Sequence, residues 1–459
     1  MSALNREGMD GRSDEDGERF PTLTAAGRAM LDFLREHPSA PVFRNESGNK
    51  LLAHEVAQVR AFEQDVAQAA VGWPEFGRPA WVDAVVRAAF DSVPHYRQLG
   101  SPPTDFNALP TVCRADFAAD IAAFVPDTAD VKRMINFRTT GTTGHPLVIA
   151  SHPVVAARYL AFHKRALRRF GVELAHGSGQ VGVVLLGHQK RCFTYVSVTP
   201  TMGESGLAKI NLYPDEWRTA EDRAVYLDAL APEVIAGDPI SFTELLNIPL
   251  TVKPRALLSV SMLLLPALRT RLEQRFGCPV LDIYSLNEVG PVAVYDARAG
   301  GHVLLQPQLF VEILGRDGQP VPPGERGEIT VTGGFNFCLP LLRYRTGDFA
   351  SLAFHGGDGT PVLLGLSGRS PVRYFASGKW INNIDVTHAL QNLPIPHFSV
   401  HQHADGTVVL RMKQAFTPLG DEARIALEEL FGAGLVTLDV LAADDKTLQY
   451  SSDLPGAHA

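Results

Sequence analysis

The sequence is poor in cysteine and has no long apolar run. Four of its 459 residues are cysteines (Cys113, Cys192, Cys278 and Cys338), and no two of them form a Cys-x-x-Cys pair. This spacing argues against a disulfide framework or a zinc ribbon and favours a reducing, cytoplasmic environment. No apolar stretch reaches the roughly 18 residues that a membrane-spanning helix needs, so no membrane partner is expected.

An excess of basic charge is also absent. Lysine and arginine number 42 against 50 aspartates and glutamates, which gives a net charge of −8. A chain of this sign is not expected to bind nucleic acid or an anionic membrane surface. Residues 1–20 are polar and lack the apolar core of a secretory signal, so they are predicted to be a disordered lead-in. The remaining length is typical of more than one folded domain.

Hydrophobic periodicity predicts an α/β fold. Short apolar runs at 181–187, 234–236 and 256–260 alternate with helical patterns, of which 153–170 and 266–276 are the longest. This alternation is typical of a mostly parallel sheet whose strands are connected by helices.

The two ends of the chain follow other patterns. Helices are predicted near the start, at 23–36, 52–70 and 81–90, and antiparallel strands at 310–314 and 327–332. The predicted organisation is a large N-terminal domain over 21–367, helical to about 125 and β-rich after 300. A small α+β domain follows at 368–459.

The first segment that indicates chemistry is Thr139-Thr140-Gly141-Thr142-Thr143-Gly144-His145-Pro146. Glycines let the backbone approach a ligand, and exposed N–H and hydroxyl donors suit phosphate oxygens. The spacing is not that of a Walker loop, GxxxxGK[ST]. A polar turn between strands accounts for the same residues, so this segment alone leaves phosphate binding open.

Four other residues stand where a nucleotide could be held. Tyr284 and Glu288 follow an apolar strand, at the end of the strand where open α/β folds place ligands. A tyrosine can stack on a base, and a glutamate can bind Mg²⁺. Asp348 can accept hydrogen bonds from a ribose diol, and Arg369 can reach phosphate or ribose oxygens. Taken singly, Tyr284 also fits a core tyrosine and Glu288 a solvated acid. Asp348 and Arg369 likewise fit ordinary surface positions, such as an ion pair.

The order and spacing of these segments resemble the adenylate-forming superfamily of acyl-CoA synthetases, peptide-synthetase adenylation domains and luciferases. The likeness is greatest to the phenylacetate–coenzyme A ligase type. Residues 139–146 are similar to that family's Ser/Thr-Gly-rich phosphate loop, and 284–288 to its Tyr-Gly-x-Thr-Glu. Residues 343–348 read Arg-Tyr-Arg-Thr-Gly-Asp, as in the family, and Gly368-Arg369 resembles the start of its hinge. The resemblance extends from about residue 80 to 390.

The resemblance implies a ligase that activates a carboxylic acid with ATP and Mg²⁺. The acyl-adenylate would form with release of pyrophosphate, and the acyl group would then pass to a thiol of coenzyme A or of a carrier protein. By position, 139–144 would hold the phosphates, Tyr284 would pack on adenine, Glu288 would bind Mg²⁺, and Asp348 with Arg369 would bind the ribose. An amine acceptor, giving an amide, is the close alternative. The acid is expected to be small or aromatic.

Two further residues are candidates for catalysis. The family carries an adenylation lysine near its end, in a small domain that rotates between the two half-reactions. Lys446 is the candidate here, although it lacks the usual preceding glycine and following arginine. A solvated surface lysine accounts for it equally well. His188 follows the 181–187 run and could meet the acyl carboxylate or the acceptor, or lie in a solvated loop.

Several residues depart from the family pattern. His145 stands where a lysine is usual, Ser285 and Asn287 replace a glycine and a threonine, and Ser261-Met262 replaces a common Gly-Glu. Pro371 follows the hinge arginine closely, and because proline fixes φ, it is predicted to limit rotation of the small domain. The altered 284–288 segment, Pro371 and the incomplete motif around Lys446 support an alternative from another class. It is a non-catalytic, nucleotide-binding relative within a biosynthetic complex.

Overall fold

The computed structural model describes residues 16–73, 77–138, 148–188, 192–355, 359–367, 372–390, 392–395, 398–441, 449–455 and 457. The α-helices of these residues are α1 (Ala25–Glu36), α2 (Ala53–Gln68), α3 (Trp81–Ser92), α4 (Pro94–Arg97), α5 (Arg114–Ala119), α6 (Pro153–Arg169), α7 (Asp222–Leu230), α8 (Pro239–Leu246), α9 (Pro266–Phe276), α10 (Asn383–Leu390) and α11 (Gly420–Phe431).

The strands of the first half of the chain are β1 (Val112–Cys113), β2 (Ile135–Arg138), β3 (Val148–Ser151), β4 (Val181–Gly187), β5 (Tyr195–Thr199), β6 (Ser205–Asn211), β7 (Val234–Gly237), β8 (Ala256–Ser259), β9 (Val280–Leu286) and β10 (Gly290–Asp296). The later strands are β11 (Gly301–Leu304), β12 (Leu309–Leu314), β13 (Arg326–Gly333), β14 (Leu341–His355), β15 (Thr360–Ser367), β16 (Arg373–Ala376), β17 (Lys379–Asn382), β18 (Phe398–Gln402), β19 (Val408–Met412), β20 (Val436–Val440) and β21 (Tyr450–Ser452).

Contacts divide the chain into two compact units. The first is formed by Met1–Ala69, His152–Leu263 and Arg271–Ile283. The second is formed by Ala70–Ser151, Leu264–Thr270 and Tyr284–Ala459. Strand β9 begins in the first unit and ends in the second.

The sheet of the first unit confirms the predicted parallel arrangement. Its order is β9-β8-β7-β4-β6-β5. All neighbours are parallel except β5 and β6, which are antiparallel. The apolar run of β4 is mostly buried, as expected of a strand covered on both faces. Helix α6 begins at Pro153. It ends before Gly171, whose φ of 74° suits glycine.

The second unit contains the β-rich part. Its strands run in the order β12-β13-β14-β15-β11-β10, and β1 pairs with β14. The predicted antiparallel pair is β12 with β13, and β1 lies parallel to β14. The core of this unit is rich in aromatic side chains, among them Trp73, Tyr96, Phe117 and Tyr344.

The last part of the chain has the predicted α+β composition. Strands β16 and β17 form a hairpin, and a four-stranded sheet has the order β20-β19-β18-β21. Apolar side chains from Val372 to Val436 form one cluster, which Leu265 joins. Helix α10 begins at Asn383, because residues 379–382 pair with β16. The domain boundary at 368 stays a prediction.

Residues 16–20 of the predicted lead-in are described. Phe20 is buried, and so is Asp16. The Asp16 carboxylate accepts hydrogen bonds from Arg19 at 2.8 Å and from Arg35 at 2.7 Å. Residues 1–15 lie outside the described part.

Two expectations from composition can be compared with the structure. All four cysteines are free thiols. Among the described helices, none combines the length and the hydropathy that crossing a bilayer requires.

Candidate functional site

Two of the residues predicted to bind a nucleotide lie together in the second unit. Tyr284 lies near the end of β9 and Asp348 lies in β14. The Tyr284 hydroxyl donates a hydrogen bond to Asp348 Oδ2 at 2.7 Å. The aspartate is buried and the tyrosine is half-buried, with its ring packed against the aromatic core.

Backbone contacts fix the position of Asp348 in the Thr-Gly-Asp segment of β14. The Thr346 hydroxyl donates to the carbonyl of Ile329 at 2.9 Å and accepts from the Asp348 N–H at 3.1 Å. The Gly347 N–H donates to the Glu328 carboxylate at 3.1 Å. Gly347 has a φ of 78°, a conformation that favours glycine. The segment therefore presents its carboxylate from a constrained backbone.

Electrostatics keep Tyr284 protonated. Burial raises the pKa of its phenol well above the usual value, and the negative charge of Asp348 raises it further. The phenol therefore remains a hydrogen-bond donor over the physiological pH range. A carboxylate oxygen has two lone pairs, so Asp348 Oδ2 can accept a second donor, such as a ribose hydroxyl, beside Tyr284.

Glu288 forms a second buried group in the same unit. Tyr344 in β14 donates from its hydroxyl to Glu288 Oε1 at 3.1 Å. Arg114 Nη1 lies 3.4 Å from the same oxygen. The Tyr344 ring is stacked on Phe117, with centroids 5.0 Å apart and planes 3° apart. Burial and the nearby Glu288 charge raise the pKa of Tyr344 above its usual value.

The surroundings of Glu288 fit a magnesium ion shared with phosphate groups. Both of these contacts fall on Oε1. Mg²⁺ in nucleotide sites is typically held by one or two carboxylates together with phosphate oxygens and waters. The Arg114 guanidinium, which is about one-third exposed at 33%, is also suited to phosphate. The sequence gives no sign that Arg114 belongs to this site, because the pairing of β1 with β14 brings it near Glu288.

Arg343, at the start of the Arg-Tyr-Arg-Thr-Gly-Asp segment, supports the strand from within the core. It is only 2% exposed and has a φ of 45°. Its guanidinium donates to the carbonyl of Asn107 at 2.7 Å and lies 3.4 Å from the Glu312 carboxylate. Burial raises the pKa of Glu312, and the charge of Arg343 opposes that shift. The motif therefore has a structural arginine as well as the aspartate identified from the sequence.

Most of the other predicted site residues fall outside the described residues. These are Thr139, Thr140, Gly141, Thr142, Thr143, Gly144, Arg369 and Lys446, together with His145 and Pro371. Strands β2 and β3, which precede and follow the threonine-rich segment, are antiparallel neighbours, with Arg138 opposite Val148.

His188 is described, and it lies in the first unit directly after β4. Its ring is 5.7 Å from that of Tyr213. In the same unit, Ser261 has a φ of 73°, a left-handed conformation in which glycine is ordinarily found. The structure thus gives a backbone reason for the glycine that the resembled family often has at this position.

The chain is similar in sequence to known proteins. The family described as AMP-binding enzyme matches residues 134–337. Phenylacetate-coenzyme A ligase of Thermus thermophilus is 24% identical over 358 residues, which cover 71% of this chain and 77% of that protein. The enzyme of the same name from Aromatoleum evansii is 25% identical over 296 residues, covering 58% of this chain and 64% of that protein.

Solved structures show the same fold. A 2-hydroxyisobutyryl-CoA ligase in the postadenylation state superposes with a TM-score of 0.61 at 16% identity, over 81% of this chain and 88% of that chain. Its open conformation, in complex with 2-HIB-AMP and CoA, gives a TM-score of 0.55 at 16% identity, over 77% and 89%. The fold is that of these solved ligase structures, and residues 134–337 match the family described as AMP-binding enzyme. The sequence relatives confirm the resemblance to phenylacetate–coenzyme A ligases.

Proposed function

We propose that this protein is an ATP-dependent, AMP-forming acid ligase. The oxygen of a carboxylate substrate attacks the α-phosphorus of ATP, and the bond to the pyrophosphate leaving group breaks. The acyl-adenylate then reacts with a thiol, which forms the thioester and releases AMP. Coenzyme A is the proposed thiol. The names of the phenylacetate-coenzyme A ligase relatives support this choice.

The observation that carries the proposal is the hydrogen-bonded pair of Tyr284 and Asp348. A buried carboxylate on a constrained strand matches the two vicinal hydroxyls of ribose, since each oxygen can accept one of them. The half-buried tyrosine ring beside it provides an aromatic face for a purine, a type of contact worth about 0.5–1.5 kcal/mol. The pair therefore supports recognition of the nucleoside part of ATP.

The position and contacts of Glu288 support a requirement for Mg²⁺ in the proposed reaction. When bound with ATP, Mg²⁺ supplies neutralisation of phosphate charge, and Glu288 is the residue proposed to hold it. Tyr344 orients the Glu288 carboxylate through its hydrogen bond. Arg114 contributes positive charge beside the same carboxylate. The remaining work of the protein is positioning the two reactants, which can account for a large part of the rate acceleration.

The proposal also names a class of acid substrate and an acceptor for the acyl group. We infer a small or aromatic acid. Relatives named for phenylacetate support the aromatic class. A phosphopantetheine thiol on a carrier protein and an amine remain alternative acceptors. Because ATP and coenzyme A are abundant in the cytoplasm, we propose that compartment as the site of action.

The proposal is tested by ATP–pyrophosphate exchange. Purified protein is incubated with labelled pyrophosphate, ATP and pools of small and aromatic acids, with and without Mg²⁺. Exchange that requires one pool and Mg²⁺ would support adenylation, and dividing the pool would identify the acid. Mass spectrometry after addition of coenzyme A or an amine would then distinguish a thioester from an amide.

The non-catalytic alternative requires nucleotide binding but no adenylation. Asp348 and Glu288 already have protein partners in Tyr284 and Arg114, an arrangement that is compatible with nucleotide binding alone. ATP or AMP binding without exchange in any acid pool would support that alternative over the ligase.

A further inference from the structure

The C-terminal sheet brings two histidines and an aspartate together at one edge. Strands β18 and β21 are parallel neighbours, with His401 opposite Ser451 and Gln402 opposite Ser452. His403 directly follows β18, and Asp453 directly follows β21. The rings of His401 and His403 are adjacent, with centroids 4.6 Å apart.

The side chains are already close enough to share a metal ion. His401 Nε2 lies 3.1 Å from Asp453 Oδ2, and His403 Nδ1 lies 3.8 Å from the same oxygen. One ligand atom from each of the three residues lies within 4.8 Å of the others. Ligand atoms around a tetrahedral zinc ion, with bonds near 2.1 Å, are separated by about 3.4 Å. Small side-chain rotations are enough to reach that geometry.

The groups around the cluster fix its orientation. The Ser451 hydroxyl lies 2.8 Å from His401 Nδ1, which directs the other ring nitrogen, Nε2, toward Asp453. Metal-binding histidines characteristically have their second nitrogen held by a hydrogen bond. The main chain positions the other two residues, because the Asp453 N–H donates to the Gln402 carbonyl at 2.9 Å and the His403 N–H to that of Thr407 at 2.8 Å.

We propose that His401 Nε2, His403 Nδ1 and the Asp453 carboxylate bind one divalent transition-metal ion of the zinc class. Two imidazoles and a carboxylate are ligands that suit Zn²⁺ and Co²⁺, and three protein ligands leave a coordination position for water. The site is accessible, since the side chains of His403 and Asp453 are 45% and 55% exposed. The bound ion would tie the segment after β21 to the turn between β18 and β19. This site is independent of the adenylation chemistry proposed above.

The test uses the full-length protein after removal of metal with a chelator. Zn²⁺ is titrated by calorimetry, and Co²⁺ is titrated by visible absorption as a probe of coordination. The variants H403Q and D453N each remove one ligand from an exposed side chain, and H54Q removes an exposed histidine elsewhere. We expect one ion per chain for the wild type and for H54Q, and binding at least about tenfold weaker in H403Q and D453N.

Thermal unfolding provides a second readout. Zn²⁺ should raise the unfolding midpoint of the wild type and H54Q, and it should raise those of H403Q and D453N much less. Metal-free wild type and variants should unfold at similar temperatures, since both substitutions are at the surface. Zn²⁺ binding that is undetectable in the wild type, or that is equal in wild type, H403Q and D453N, would overturn the proposal and leave an ordinary histidine–aspartate ion pair.

Discussion

Replacing Asp348 with asparagine tests the nucleotide site most specifically. In the D348N variant, the amide would keep one acceptor oxygen for the Tyr284 hydroxyl, which now lies 2.7 Å from Asp348 Oδ2. The amide carries no negative charge, and its second polar atom is a donor. One hydrogen bond from the ribose is therefore lost, and the other becomes a neutral one.

The expected cost follows from these two changes. A hydrogen bond to a charged group is worth about 1.5–3 kcal/mol, against about 0.5–1.5 kcal/mol for a neutral one. Asp348 is 9% exposed, so screening by solvent reduces this difference little. We expect D348N to weaken ATP binding by about 2.5–4.5 kcal/mol, or roughly 70- to 2,000-fold.

The assay compares ATP with its 2′-deoxy and 3′-deoxy analogues by calorimetry. The wild type should bind each analogue about 10-fold or more weakly than ATP, whereas D348N should no longer discriminate against one analogue and should bind the other only about 2- to 13-fold more weakly than ATP. D317N, which changes an exposed aspartate in the turn between β12 and β13, is the control and should behave as the wild type. ATP binding by D348N at wild-type strength, or D348N that discriminates against both analogues as strongly as the wild type does, would refute the assignment of Asp348 to the ribose.

Four other substitutions test separate parts of the account. R343M should lower the free energy of unfolding by about 3–5 kcal/mol in urea denaturation, because it leaves a buried carboxylate without its arginine. Y344F should raise the Mg²⁺ concentration needed for half-maximal exchange by about tenfold, since Glu288 loses the hydroxyl that orients it. K446A should slow adenylation by about a hundredfold and spare acyl transfer in single-turnover assays. P371G should change the ratio of the two half-reaction rates, because a freer hinge affects the rotation between them.

Each of these tests has a matched control and a contradicting result. R97M (an exposed arginine paired with an exposed aspartate), Y295F, K379A and P102G change the same residue types elsewhere and should leave each measurement near the wild-type value. Wild-type stability in R343M would contradict the structural role of that arginine. An unchanged Mg²⁺ requirement in Y344F, full adenylation in K446A, or unchanged half-reaction rates in P371G would contradict the corresponding assignment.

The parallel part of the fold can be predicted from the sequence because its strands are continuous apolar runs. The apolar pattern predicts Val181–Gly187 with the bounds that β4 has, since a strand buried on both faces has no alternation to interpret. Helix α6 is equally clear, because Pro153 and Gly171 mark its two ends.

Strands that contain charged or small residues cannot be predicted from the hydrophobic pattern. Strand β14 includes Arg343, Arg345 and Asp348 in its 15 residues, and their charges interrupt the hydrophobic pattern. Arg343 is buried all the same, because the carbonyl of Asn107 and the Glu312 carboxylate hold its guanidinium. Strand β6 reads Ser-Gly-Leu-Ala-Lys-Ile-Asn, which has too few branched apolar residues to indicate a strand.

Residues of the candidate site can be predicted from the sequence only where they belong to a recognisable local motif. Tyr284 and Asp348 are identified from their segments, but the hydrogen bond between them joins residues 64 positions apart. Arg114 has no local signal, because it reaches Glu288 from 174 positions away. The same limit applies to Asp453, which meets His401 through the pairing of β18 with β21.

The most direct test of the central claim is acid-dependent ATP–pyrophosphate exchange, measured in parallel on the wild type, D348N and D317N. The account predicts Mg²⁺-dependent exchange stimulated by a small or aromatic acid in the wild type and D317N. In D348N it predicts a strongly raised KM for ATP. Nucleotide binding without exchange in any acid pool would contradict the claim that this protein is an acid ligase.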